Sequence, residues 1–355
     1  MGNIKPSRGL RQGDPLSPYL FLLCAEALNS MLIQAKANGV ISRVPTSKNS
    51  PKISHMFFVD DGFLFCKANS VEWKRLTRIL EKYEVVSGQK LNKAKTSIFF
   101  NRNTSIEKRE EITRLSGIQA TNRYEKYLGL PTLVGKSRSR AFKSIKDRVW
   151  SRLQNLKVKF LSQAGKEILL KAVVQAIPTY SMSVFLLPSS LCQEINRLMQ
   201  NFWWGHKENN SRIHWMKWER IGVSKNKGGL GFHDLTTFNK GLLAKQTWRL
   251  FQQPNSLVGR IFKAKYHLSC NILEVDLGKK ASLIWRSLIA TQGVVKRGAI
   301  WRVGDGRSIQ VWKDCWLPTL VTYKVQSLRV HLPTNARVSD LINENSKGWN
   351  GSLIA

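Results

Sequence analysis

Apolar residues recur at helical spacing from Leu20 through Leu23, Cys24, Ala27 and Met31 to Ala35, a period that predicts a long buried helix. Ser17 is placed to cap it and Pro18 to fill its first turn, where a missing N–H costs nothing. Gly39 is placed to end it in a left-handed turn. The pattern then changes. Residues 53–59 and 63–66 read as two short apolar strands flanking Asp60-Asp61-Gly62, and Asp-Gly between apolar runs is a hairpin signal. Trp73, Leu76, Ile79, Leu80, Tyr83 and Val86 mark a second amphipathic helix, stopped by Gly88. A turn over residues 92–96 and a strand over 97–100 follow.

Beyond Tyr127-Leu128-Gly129-Leu130-Pro131 the signals become helical almost throughout. Residues 137–171 are dense in Lys and Arg, with Trp150, Leu153, Leu156, Phe160 and Leu161 expected on the opposite, apolar face. Pro178 and Pro188 punctuate this region, and residues 194–204 resume a helix. A Lys-, Asn- and Gly-rich gap over 225–231 precedes further helix over 239–266, and the tail beyond Trp316 reads as irregular. Helix and antiparallel hairpin first, helices afterwards, make an α+β chain with no internal repeat.

Charge changes the picture more than any single element. Fifty-seven Lys and Arg face 23 Asp and Glu, a net +34 spread along the chain, which would repel itself without a polyanionic partner. Nucleic acid is the expected partner, because bases are interleaved with aromatics. Five scattered cysteines, with no CxxC pair, read as reduced thiols, and the histidines lack zinc-site spacing. No stretch reaches ~18 uninterrupted apolar residues, so no membrane partner is expected, and the compartment is expected to be nuclear or cytoplasmic.

Asp60 and Asp61 are the candidate chemistry. Two adjacent carboxylates at a turn, among Phe57, Phe58, Phe63 and Phe65, are an unusual place to leave charge. Such a pair suits divalent metal, since phosphoryl transfer onto a growing strand uses two ions about 3.5–4 Å apart. Mg²⁺ takes a few carboxylate oxygens and keeps several waters. The plain alternative is an ordinary Asp-Asp-Gly turn.

The surrounding strings decide between them. Ser7-Arg8-Gly9-Leu10-Arg11-Gln12-Gly13-Asp14-Pro15-Leu16-Ser17-Pro18-Tyr19-Leu20-Phe21 resembles the B motif of non-LTR (LINE-type, plant-like) retrotransposon reverse transcriptases, and Phe58-Val59-Asp60-Asp61 resembles their C motif. Gly88-Gln89-Lys90-Leu91-Asn92-Lys93-Ala94-Lys95-Thr96 is similar to their D motif, and Tyr127 to Pro131 is similar to the segment leading into the thumb. Order and separation match as well, and the resemblance extends more weakly to about Trp316.

The resemblance implies an RNA-directed DNA polymerase using Mg²⁺ and dNTPs on an RNA template with a DNA primer or hybrid duplex. It implies a partial palm over residues 1–135, a basic helical thumb over 136–205, a Trp-rich connection over 206–316 and an irregular tail over 317–355. Asp60 and Asp61 are then the metal-binding catalytic carboxylates, and Lys95 neutralises or protonates the departing pyrophosphate. Gln12 and Gly13 lie against the nascent base pair, and Arg11 contacts template or phosphate. For Arg11 and Lys95 the alternative is a solvated base. The Trp-rich stretch around Trp203, Trp204, Trp215, Trp218 and Trp248 either stacks on bases or packs in a core, packing being the usual fate of such residues.

Two features depart from the family pattern. The residue before the aspartate pair is usually small, and here it is Val59. The A motif, which supplies another metal-binding Asp, precedes the B motif in the family, yet residues 1–13 contain no Asp or Glu. The expectation is therefore a palm and thumb fragment inactive by itself, the alternative being a catalytically dead nucleic-acid-binding remnant.

Overall fold

The computed structural model describes residues 13–354 except 43, 46, 48, 122–126, 132–133, 136, 155–159, 206–212, 280, 319–321, 328–331 and 344–347. Helix α1 runs Ser17–Ala37. Its cap is Leu16 rather than Ser17, and the Asp14 carboxylate accepts the Leu16 N–H at 2.8 Å just outside the helix. Gly39 adopts φ 69°, as its position predicts. Strands β1 (Val44–Pro45) and β2 (Lys52–Ile53) pair antiparallel, as do β3 (His55–Phe58) and β4 (Asp61–Leu64). Helix α2 (Ser70–Ser87) starts where the Asn69 side chain accepts the Glu72 N–H and stops at Gly88, φ 71°. Strand β5 (Ile98–Phe99) pairs parallel with β6 (Ala120–Thr121) across α3 (Ile106–Ser116).

Leu32, Ile41 and Leu76 are the buried centre of this first unit, with Leu28, Ala35, Phe57, Leu64, Ile79 and Leu80 packed around them. The expectation that α1 is buried is corrected here. Only Leu32 of α1 is buried, whereas Leu16, Tyr19, Leu22 and Leu23 are each more than 60% exposed. The reason is composition: α1 is apolar on nearly every face, and the described residues cover one of them. An open groove of about 850 Å³, lined by Leu20, Phe21, Cys24, Val85, Gly88 and Lys90 among others, separates α1 from the end of α2. Length and composition alone also qualify α1 to cross a membrane, although polar residues interrupt its apolar run.

The helical part is built on α4 (Arg138–Gln154), a helix interrupted by a π stretch, and α7 (Ser189–Trp204). The interrupted helix comprises α5 (Gln163–Ile168), the π-helical Leu169–Val174 and α6 (Ala176–Met182). Pro178 thus lies inside the helix, and the wide turn ahead of it, with Gln175 N–H on the Leu170 carbonyl, absorbs the irregularity. Phe142, Ile145, Val149 and Leu153 of α4 meet Leu191, Cys192, Ile195 and Met199 of α7 in the largest core.

That core extends through α8 (Trp218–Ile221) to the start of α9 (Leu235–Gln252). Asn239 is buried inside it with every group used: Oδ1 accepts from Leu187 N, and Nδ2 donates to the Met182 and Phe185 carbonyls. Helices α10 (Leu257–Tyr266), α11 (Leu283–Ile289) and α12 (Gln292–Gly298) enclose Trp285 against Phe262, Tyr266 and His267. The tail contains little regular structure, yet Ala336, Val338 and Leu341 pack onto Ile309, Val311 and Trp316. The whole is α+β, as the periodicities predict.

Candidate active site

The β3–β4 hairpin is the site's frame. Its register pairs His55 with Leu64, Met56 with Phe63, Phe57 with Gly62 and Phe58 with Asp61, leaving Val59 and Asp60 as a two-residue loop. The turn thus begins one residue before the expected Asp60-Asp61-Gly62 and two residues before an Asp61-Gly62 loop, and Asp61 opens the returning strand. Pleating puts His55, Phe57, Gly62 and Leu64 on one face and Met56, Phe58, Asp61 and Phe63 on the other. Phe57 and Leu64 are anchored against α1 and α2, which fixes the register and projects both carboxylates from the tip. Gly62 leaves room for this packing: a Cβ there would stand 3.0 Å from the Phe57 ring, which would have to give way.

Asp60 and Asp61 are both exposed, and neither takes part in an ion pair or side-chain hydrogen bond among the described residues. Phe63 packs its ring 4.4 Å from Tyr127, which opens a second tight turn. Tyr127 and Leu130 exchange both backbone hydrogen bonds, at 2.8 and 2.9 Å, with Leu128 at φ 48° and Gly129 at φ 77° between them. Burial first, then the nearby Asp61 charge, raises the Tyr127 phenol above its usual range. The Tyr-Leu-Gly-Leu string is therefore part of the hairpin's surroundings.

The sequence reading missed two supports of this frame. His55 Nε2 lies 2.7 Å from Asn29 Oδ1 and Nδ1 lies 3.0 Å from Ser54 Oγ, tying the hairpin to α1. Asn29 Nδ2 is engaged with Glu26 Oε1, so its Oδ1 accepts and the His55 proton belongs on Nε2. Glu72, 5% exposed, accepts the Ser42 N–H at 2.6 Å and the Lys67 N–H, joining the chain leaving α1 to the chain leaving the hairpin. A His in alternation with Phe57 and an acid in a helix's first turn were the available signals.

Arg11 and Gln12 lie outside the described residues; Gly13 is described, at φ 90°, a conformation that suits glycine. Lys95 is exposed in a turn, its backbone N–H held by Asn92, and it forms no ion pair with Asp60 or Asp61. Trp218 is buried, and Trp203 and Trp204 pack against the large core, whereas Trp215 is 78% exposed. Trp150 does not face the core as expected: it is 45% exposed, because the α4 stripe that packs is Phe142, Ile145, Val149 and Leu153; Phe160, beyond α4, is 89% exposed, and Leu156 lies outside the described residues.

As a metal site the pair is partial. Two exposed carboxylates at one tip match part of the oxygen donor set Mg²⁺ takes, with water completing the sphere. Among the described residues no group of three or more His, Cys, Asp or Glu is placed to hold a metal.

Residues 2–162 match the family described as reverse transcriptase (RNA-dependent DNA polymerase). An uncharacterized mitochondrial protein of Arabidopsis thaliana is 39% identical over 143 residues, covering 40% of this chain and 93% of that protein. A putative ribonuclease H protein of the same plant is 35% identical over 193 residues, 53% of this chain and 31% of that protein. A second uncharacterized mitochondrial protein is 53% identical over 60 residues, 17% of this chain and 49% of its own length. The chain thus spans about a third of one of these relatives and about half of another. The Asp-bearing hairpin and the strings around it lie inside the matched stretch, so residues 2–162 carry a reverse transcriptase domain.

Proposed function

We propose that this chain is the palm and thumb portion of a non-LTR retrotransposon reverse transcriptase, contributing Asp60 and Asp61 to a two-metal nucleotidyl-transfer site. The observation that carries the reading is the hairpin: its register, fixed by Phe57 and Leu64 packed against the core, holds two carboxylates at an exposed tip with no ion pair or side-chain hydrogen bond among the described residues. Asp60 and Asp61 hold the metal, and bound Mg²⁺ supplies activation of the primer hydroxyl and charge neutralisation at the triphosphate. Arg11, Gln12 and Gly13 position the template and nascent pair, and Lys95 serves the departing pyrophosphate. The open face of α1 and the groove beside it are where the remainder of a palm packs.

Because two carboxylates are only part of the cage, the 355-residue chain alone extends no primer with Mg²⁺ and dNTPs. Supplying a fingers-plus-A-motif fragment from a related reverse transcriptase restores template-dependent synthesis, and Asp60→Ala abolishes it. Synthesis surviving Asp60→Ala in the completed enzyme refutes the metal role. A second reading, a catalytically dead nucleic-acid-binding remnant, is favoured by the lack of a three-residue metal cluster among the described residues. That reading prevails if complementation fails while nucleic acid still binds.

A further inference from the structure

We propose that Trp150 is a base-stacking residue that takes an unpaired base of single-stranded RNA or DNA, set within the phosphate-binding stripe of α4. The inference rests on the nucleic-acid reading above and deepens it by separating what grips the backbone from what grips a base.

Six bases and one acid share the 17 residues of α4: Arg138, Arg140, Lys143, Lys146, Arg148 and Arg152 against Asp147. The face that packs carries Phe142, Ile145, Val149 and Leu153, all buried, with Ala141 packed beside them. Trp150 lies outside that stripe, 45% exposed, with no ring partner among the described residues. Lys146 and Lys143 precede it by four and seven positions, so all three project along one side of the helix. Lys146 is held in place by Glu194 of α7 at 2.6 Å, leaving its side chain 40% exposed at the edge of that side.

Trp218, Trp285 and Trp316 are buried, and the other open indoles, Trp215, Trp301 and Trp349, lie outside helices, so among the described residues Trp150 is the exposed indole that a helix carries. An indole left open on a cationic helix matches how single-stranded nucleic acid is held, with charge tracking the backbone and an aromatic face receiving a base. A base-paired duplex keeps its base faces stacked on one another, so the occupant is unpaired strand. Lys and Arg supply affinity that falls with salt, whereas stacking supplies affinity that does not.

The test measures binding of the full chain to a single-stranded oligouridine RNA and to a blunt duplex across a salt series, with circular dichroism verifying the fold of each variant. Trp150→Ala is expected to weaken single-strand binding by roughly 5- to 100-fold at every salt with unchanged slope, the range of one aromatic–base stack. Trp150→Phe is expected to retain most of the affinity, and duplex binding is expected to be unaffected. Lys143→Ala is expected to lower the single-strand salt slope by roughly 0.7. If Lys143→Ala lowers the slope while Trp150→Ala changes nothing, the stacking proposal is overturned and the basic-helix reading stands. Equal losses on single strand and duplex also overturn it, by making Trp150 a general structural support. Binding by the parent chain that is flat across salt removes the underlying nucleic-acid reading, and the stacking proposal with it.

Discussion

Val59 is a β-branched residue at φ 51°, where a side chain's Cβ crowds the following carbonyl. The register leaves it no choice, since Phe58 must pair with Asp61 while Phe57 stays in the core. A residue forced into this region stores about 1–3 kcal/mol, of which glycine returns part, offset by about 0.5–1 kcal/mol for its freer unfolded chain. Val59→Gly should therefore slow amide hydrogen exchange across the hairpin modestly, and exchange faster than in the parent would show that the turn is unstrained. A second prediction concerns His55. Burial first, then the charge of Lys36, lowers its pKa, so the folded chain disfavours the imidazolium. The stability it contributes is present in full above the unfolded value of about 6.5 and is lost as pH falls through the lower folded value. Between pH 7 and 5 the hairpin amides should lose protection relative to those of α2, after correction for intrinsic exchange. His55→Gln should remove that difference, and a loss unchanged by the substitution would assign it elsewhere.

At the scale of elements, Glu72 decides whether α1, the hairpin and α2 stay together. Its carboxylate accepts N–H groups from Ser42 and Lys67, and its own N–H is taken by the Asn69 cap. Glu72→Ala strands two donors at a buried position, at a cost of about 1–3 kcal/mol each where water cannot reach. The denaturant midpoint for the α1–α2 unit should fall, while amide protection in the α4–α7 core stays constant; an unchanged midpoint would mean water replaces the carboxylate. These elements were largely legible because their signals are local: Gly39 and Gly88 end helices where their positions predict, and alternating apolar residues mark the hairpin. The misplacements have tertiary causes. The turn begins one residue early because packing of Phe57 and Leu64 outranks the Asp-Gly preference, and α1 is exposed because periodicity shows which residues are apolar, not which face finds a partner.

For the whole molecule, the candidate site was legible only where its residues adjoin in sequence, as Asp60 and Asp61 do. The support of the tip by His55 and the contact of Tyr127 with Phe63 join residues 26 and 64 positions apart, beyond the reach of a local pattern. Charge, by contrast, was legible in full and needs no fold. If each of the 23 carboxylates neutralised one base, 34 of the 57 would remain. The structure presents several of these along α4, whose opposite face is committed to the core. A polyanion seated there releases its condensed counterions, so affinity falls as a power of salt concentration. Engagement of about five duplex phosphates should cost roughly a few-hundredfold in affinity between 50 and 200 mM salt, by a slope of about 0.9 per phosphate. Reversing two charges of the helix, Arg148→Glu with Arg152→Glu, should flatten that slope, whereas reversing Lys296 and Arg297 at the end of α12 should leave it close to the parent's. If both pairs flatten the slope equally, the cations act as a diffuse cloud and α4 is no groove. If neither does, the duplex lies elsewhere on the molecule, and the basic helix is a solvated surface.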